Sequence, residues 1–252
     1  MAKTVDEELA LVLRAVAFGE ADRVVVLLCR TQGKVAALAK GARRSQKRFA
    51  GGLGLMSLGR ATYVERPGAE LARLERFEAT AMWPGVLADL GKIAHVAYAA
   101  ELLDLLAPAH QQDTPLFDLA LGFLSALDAG EATAERLRVF ELQLLDRLGL
   151  RPELGRCVVC ARPSDDRVGQ RLDPVRGGIA CGTCRAEGPL VDGETRAALV
   201  ATQAFAITDP SPVFPPEVAR GVREALRVIL AVHLPRQLKS VGFIDKLNRA
   251  TP

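Results

Sequence analysis

Apolar and polar residues alternate in short runs through the first eighty residues of the chain, and β-branched residues are frequent among them. This alternation predicts half-buried β-strands, with glycine- and proline-containing turns between them. The predicted strands cover residues 9–16, 23–29, 35–39, 55–64 and 71–80. Five short strands with one long connection favour a small β-barrel, because closure removes exposed sheet edges.

From Trp83 onward the apolar residues are spaced by three and four, which is typical of amphipathic helices. Gly149 is a helix stop signal, and Pro235 ends the last helix before a basic tail. The predicted helices cover residues 84–90, 93–106, 115–127, 133–148, 193–205 and 216–233. We therefore predict an α+β fold with a barrel domain at 1–80, a helical bundle at 81–156, an inserted cysteine module at 157–190, and C-terminal helices at 191–252 that pack on the bundle.

Length and composition are those of a globular protein, since 252 residues with 49% hydrophobic content can bury sizeable cores. The N-terminal residues carry acids before a short apolar run, which fits no signal peptide. No apolar stretch reaches the length of a membrane span. We expect a cytoplasmic protein without a membrane partner.

Positive charge is concentrated in one part of the chain, although the formal net charge is only +3. Between Arg23 and Val64 there is no Asp or Glu but there are nine Lys or Arg residues, so the remainder carries a net charge of −6. This asymmetry is typical of a module that binds a polyanion.

The densest positive charge lies in KGARRSQKRF, residues 40–49, which we call the basic segment. Single-stranded nucleic acid is bound by cations along its phosphates and by planar groups that stack on its bases. Phe49 is interpreted either as a stacking residue or as a plug of the barrel, and a solvated charged face is the alternative for the segment as a whole. The candidate phosphate-binding residues are Lys40, Arg43, Arg44, Lys47 and Arg48, and Arg60 could face the same groove.

Two cysteine pairs, Cys157-Val-Val-Cys160 and Cys181-Gly-Thr-Cys184, are separated by twenty residues. This spacing is typical of four-thiolate zinc sites. Four thiolates fill the coordination sphere and leave no position for water, so we expect one structural Zn²⁺ bound by Cys157, Cys160, Cys181 and Cys184. A redox site fits less well, because a thioredoxin-like site needs only one Cys-x-x-Cys pair and places it in a βαβ unit. Cys29 stands alone in an apolar strand and is interpreted as a small buried residue.

Catalytic motifs are not evident in the sequence. Gly33-Lys34 is followed by Val35, which does not fit a phosphate-binding loop. The three histidines occur in separate helical segments without a nucleophile motif. The prediction is a protein that is not an enzyme and has no small-molecule substrate.

The order of these parts resembles that of the RecO family of bacterial DNA repair proteins. The phrases that carry the resemblance span nearly the whole chain: GEADRVV, GKVAALAKGARRSQKRF, FELQLLDRLGLRPELGRCVVC and GGIACGTC. The resemblance implies an OB-fold at the N-terminus, a mostly helical remainder and no nuclease or ATPase activity. Because not all members keep the four cysteines, it also supports a structural role for the metal.

The resemblance further implies partners. Proteins similar to this one act at the nucleoid in the RecF pathway, bind single- and double-stranded DNA, and anneal complementary strands. They work with RecR to help load RecA onto DNA that is coated by single-strand-binding protein. By this likeness the DNA-binding face of the barrel would contain Lys34, Lys40, Arg43, Arg44, Lys47 and Arg48.

Two other functions remain open at this point. One is an RNA-binding protein, since the basic segment cannot distinguish sugars, and the other is a zinc-stapled adaptor that binds acidic proteins. The C-terminal bases could receive DNA or the acidic tail of single-strand-binding protein, or could form an ordinary exposed helix face. These bases are Arg220, Arg223, Arg227, Arg236 and Lys239.

Overall fold

The structure is a computed structural model. It describes residues 2–45, 47–49, 52–165, 169–184 and 186–250, the side chains of 248–250 excepted. In this part of the chain the fold is mixed α+β. The strands are β1 (Lys3–Phe18), β2 (Asp22–Cys29), β3 (Gly33–Ala39), β4 (Leu58–Glu65), β5 (Ala72–Ala81), β6 (Gln170–Asp173), β7 (Gly178–Ala180) and β8 (Leu190–Val191). The helices are α1 (Pro84–Leu87), α2 (Leu90–Leu106), α3 (Thr114–Ala129), α4 (Ala134–Arg147), α5 (Gly193–Ala204), α6 (Pro216–Ala231) and α7 (Lys239–Ala250).

Contacts between residues divide the chain into two compact units. Unit one contains residues 1–131 and 238–252, and unit two contains residues 132–237. The helices α1, α2, α3 and α7 therefore belong with the N-terminal strands, whereas α4, α5 and α6 belong with the cysteine module. The division of the chain into four domains, which was predicted from the sequence, remains a prediction.

In unit one the first five strands close into a barrel in the order β1, β2, β3, β5, β4. Closure depends on β1, whose first half pairs with β4 and whose second half pairs with β2. The register shifts between Val5 and Glu8 and again between Val12 and Arg14, and such bulges bend a long strand. One 16-residue strand thus pairs with a strand on each side of it in the closed sheet.

The barrel interior is filled by alternate residues of each strand. In β3 every second residue is buried, from Gly33 through Val35 and Ala37 to Ala39. The small side chains of β3 share the barrel core with larger ones, among which Tyr63 and Phe77 are fully buried. This alternation is the pattern that predicted the strands from sequence.

Helix α2 packs on the outside of the barrel against β1. The guanidinium of Arg14 donates to the carboxylate of Asp104 at 2.8 Å. Helix α7 in turn packs on α2, and the carboxylate of Glu101 accepts hydrogen bonds from the backbone N–H groups of Lys239 and Ser240. These bonds satisfy N–H groups at the start of α7 that have no partner within the helix. The basic tail after Pro235 thereby contributes a helix, which its composition did not indicate.

In unit two α4 packs against both α5 and α6. Helix α4 ends as the sequence indicated, because Gly149 adopts a positive φ of 72° and its N–H donates to the carbonyl of Asp146. A three-stranded sheet, in the order β7, β6, β8, joins the cysteine module to α5. The carboxylate of Asp192, directly after β8, accepts from the N–H of Thr195 and caps α5.

Phe49 anchors the basic segment to the barrel, because its side chain is only 4% exposed and lies in the barrel core. We expect Phe49→Ala to lower the free energy of unfolding of unit one by about 3 to 5 kcal/mol, because it leaves a cavity. Denaturant unfolding followed by circular dichroism measures this change. Met82→Ala is the control, since Met82 is 63% exposed. Equal stability of the two variants would contradict burial of Phe49.

Candidate nucleic-acid interface and metal centre

The basic segment crosses one end of the barrel, directly after β3. It begins with a tight turn in which the N–H groups of Arg44 and Ser45 both donate to the carbonyl of Gly41, whose φ is 65°. At the other end of the segment the carbonyl of Arg48 accepts from the N–H of Phe77 in β5. The N–H of Gly41 also donates to the carboxylate of Asp22 in β2 at 2.7 Å, so the segment is bonded to the barrel near both of its ends.

Four cations of the segment project into solvent. Lys40, Arg43, Arg44 and Lys47 are exposed. Among the described residues only Arg44 of these four has an acidic partner within 4 Å, the 95% exposed carboxylate of Glu20 at 4.0 Å. The charges are thus available to a polyanion.

Arg48 has a different role, because its guanidinium holds the segment together. It donates to the carbonyl of Lys40 at 2.5 Å and to the hydroxyl of Ser45 at 3.4 Å. Its guanidinium carbon lies 5.2 Å from the centre of the Phe49 ring. Half-buried Arg48 therefore contributes positive charge from a fixed position.

Phe49 occupies the barrel core, so of the two interpretations of this residue the structure favours the plug. Leu53 is buried beside it in the same cluster. The aromatic ring that the sequence pointed to for stacking is covered by the barrel.

Lys34 does not lie with the basic segment. It is six residues before Lys40 along an extended strand, which places the two backbones about 20 Å apart. Its ammonium donates to the carbonyl of Asp104 in α2 at 2.6 Å, and its carbonyl accepts from the N–H of His110. Burial lowers the pKa of Lys34, an effect that the Asp104 carboxylate opposes. Lys34 thus attaches α2 to the barrel.

Arg60 lies in β4 among acidic side chains. It pairs across the strands with Glu78, and its guanidinium lies 3.5 Å from the carboxylate of Glu7. Its charge is therefore offset locally, unlike the charges of the basic segment. The sequence did not indicate these two contacts, because Glu7 lies in β1 and Glu78 in β5, outside the acid-free stretch.

The four predicted zinc ligands come together in unit two. The sulfurs of Cys157, Cys160, Cys181 and Cys184 all lie within 4.8 Å of one another, and those of Cys160 and Cys181 are 3.8 Å apart. A tetrahedral ion with Zn–S bonds of about 2.3 Å separates its ligands by about 3.8 Å. The donor set and its spacing fit one Zn²⁺.

The backbone around the cluster favours thiolates. Burial by itself raises the pKa of the Cys157 thiol, but N–H groups led by that of Cys181, at 3.3 Å, outweigh it and lower the pKa to about 6. The N–H of Cys184 lowers the pKa of Cys181 in the same way. Hydrogen bonds to the sulfurs of Cys160 and Cys181 hold the proton of the Cys184 thiol and raise its pKa to about 12, and the negative charge of Cys157 adds to this effect. A bound cation would offset that charge.

The apolar cluster around the cysteines is small, and Leu172 and Ile179 of β6 and β7 are the other fully buried aliphatic side chains of the module among its described residues. Its buried cluster consists of Cys157, Ala180 and Cys181, with Cys184 and Ala186 packed against them. The chain before Cys157 pairs closely with β7, and a Cβ at Gly178 would lie 2.4 Å from the carbonyl oxygen of Glu153. Metal binding worth about 10–16 kcal/mol in small zinc modules would supply most of the ordering free energy here.

We expect purified protein to contain one zinc per chain, measured by inductively coupled plasma mass spectrometry. Cys181→Ser should lose the metal, because three thiolates and a hydroxyl bind zinc more weakly. Cys29→Ala is the matched control and should retain it, since Cys29 lies buried in the barrel. A wild-type protein isolated without metal, or a Cys181→Ser variant that keeps it, would contradict this assignment.

Within the described residues, none of the helices has both the length and the apolar character that crossing a membrane requires.

Comparison with known proteins covers both parts of the chain. Residues 1–83 match the family model for the N terminal of recombination protein O, and residues 87–241 match the model for its C terminal. The chain is 41% identical over 242 residues to the DNA repair protein RecO of Anaeromyxobacter sp. (strain Fw109-5), with 94% of each chain covered. It is 38% identical over 242 residues to that of Myxococcus xanthus, covering 95% of this chain and 96% of the relative. These matches confirm the resemblance found in the sequence, and the chain belongs to the RecO family.

Proposed function

We propose that the protein is a non-enzymatic DNA-binding factor of recombinational repair. In this proposal it binds single- and double-stranded DNA, promotes annealing of complementary strands and works with RecR to help load RecA onto DNA coated by single-strand-binding protein. It would act at the nucleoid in the cytoplasm. The observation that carries the proposal is the row of exposed cations on a backbone fixed to the barrel end.

The barrel is an OB-fold in this proposal. Its strand order is β1, β2, β3, β5, β4, with β3 and β5 parallel and a long connection between β3 and β4. Five-stranded barrels of this kind bind oligonucleotides on their strands and loops. The relatives named DNA repair protein RecO support DNA as the nucleic acid.

Annealing requires a protein that reduces repulsion between two phosphate chains and leaves bases free to pair. The exposed groups of the basic segment are lysine and arginine side chains, which contact phosphates without reading sequence. Lys34 and Arg60 face other neighbours, so we assign the phosphate contacts to Lys40, Arg43, Arg44 and Lys47, with Arg48 fixing their backbone.

The zinc centre has a structural role in the proposal. Four sulfurs satisfy a tetrahedral ion, so there is no open position at which water or a substrate would be activated. The metal would order the module that precedes α5.

The first test replaces Lys40, Arg43, Arg44 and Lys47 with Ala and keeps Arg48, which holds the segment. Wild-type binding to a labelled single-stranded oligonucleotide, measured by fluorescence anisotropy, should show a log–log salt slope of about −3 for the four assigned phosphate contacts. The variant should bind weakly, with a salt slope between about 0 and −1, because its four phosphate-binding charges are removed while the fold remains.

The matched control replaces Arg220, Arg223 and Arg227 of α6 with Ala, which removes exposed positive charge from unit two. It should bind as wild type does. Unchanged binding by the basic-segment variant would overturn the assignment. A preference for RNA over DNA of the same sequence would favour the RNA-binding alternative, and no binding at low salt would favour the adaptor.

The second test uses Glu20, whose exposed carboxylate lies 4.0 Å from Arg44. Glu20→Gln removes repulsion of phosphates, so affinity for single-stranded DNA should rise about two- to threefold at low salt, and the gain should shrink as salt screens it. Glu217→Gln in α6 is the control. A Glu20→Gln variant with weaker binding would contradict an electrostatic interface at this end of the barrel.

A further inference from the structure

Phe18 is an exposed aromatic residue beside the basic segment. It is the last residue of β1, and its side chain is 55% exposed. Val16, two residues earlier, is 41% exposed. Ala15 packs against the barrel core, so the alternation of the strand places Val16 and Phe18 on its outer face.

The turn that follows Phe18 is bonded directly to the basic segment. The N–H and guanidinium of Arg43 donate to the carbonyls of Ala21 and Glu20, at 3.0 and 3.2 Å. The carboxylate of Asp22 accepts from the N–H of Gly41 at 2.7 Å. Phe18 pairs with Asp22 across the β1–β2 ladder. The backbone of Phe18 is thus fixed relative to the backbone of the basic segment.

The distance from Phe18 to the cations suits a nucleic-acid strand. In the β2–β3 ladder Ala39 pairs with Arg23, so Lys40 lies beside Asp22 and two strand spacings separate it from Phe18. Two spacings amount to about 10 Å. Stacked nucleotides advance about 3.4 Å each, so about three of them cover this distance.

We propose that Phe18 is a base-stacking residue of the DNA-binding surface, against which bases of single-stranded DNA lie while their phosphates contact the basic segment. This inference rests on the proposed function. It gives the surface the planar group that Phe49, buried in the barrel, does not supply. Duplex DNA, whose bases are already stacked on one another, would gain less from Phe18 than a single strand does.

The test compares Phe18→Ala with wild type on two oligonucleotides of equal length, oligo-dT and one built of abasic nucleotides. The variant should bind oligo-dT about fivefold or more weakly, because stacking on an aromatic side chain is lost, and should bind the abasic strand as wild type does. Its salt slope should not change, since no charge is removed. Phe18→Trp should restore the binding of oligo-dT.

Phe243→Ala is the matched control, because it removes another partly exposed ring, in α7, and should leave both affinities unchanged. Equal affinity of wild type and Phe18→Ala for oligo-dT, with salt-dependent binding intact, would overturn the stacking inference alone. An equal loss on both strands would overturn it as well, by showing a structural effect. Failure of the wild type to bind either strand would overturn the proposed function together with this inference.

Discussion

Closure of the barrel end by the connection from β3 to β4 is the constraint on which the candidate DNA surface depends. Phe49 and Leu53 of that connection are buried in the barrel core, and the carbonyl of Arg48 bonds the N–H of Phe77. Because Phe49 and Leu53 are directed inward, the polar residues near them face solvent. The cations are therefore presented on a backbone that the barrel core fixes, at little further cost in conformational entropy on binding.

The second unit is organised by a different interaction. Its helices have ordinary apolar faces, but the module between α4 and α5 has a core of only a few residues around the cysteines. The four sulfurs lie within 4.8 Å of one another, and hydrogen bonds to Cys160 and Cys181 raise the pKa of Cys184 to about 12. A metal ion bound by these four sulfurs would therefore stabilise the fold of the module.

Much of this architecture followed from the sequence, because the relevant signals are local. Alternation in residues 9–80 gave the five N-terminal strands, and two Cys-x-x-Cys pairs gave the four sulfurs that the structure brings together. What the sequence could not supply is long-range. Arg60 lies in the acid-free stretch of the sequence, and its contact with Glu7 forms only when the strands pair. In the same way, Asp104, whose carbonyl accepts from Lys34, is seventy residues away along the chain. Phe49 and Phe18 differ in burial only because one lies over the open end of the barrel and the other on its outer face.

The central claim is that DNA lies across the basic segment and the end of β1. Hydrogen–deuterium exchange with and without an oligo-dT strand tests it most directly, because it reports where backbone amides become protected without altering the protein. The account predicts slower exchange in peptides that cover residues 16–22 and 40–49, with unit two largely unchanged. Protection confined to α5 and α6, with residues 40–49 exchanging as in the free protein, would contradict it.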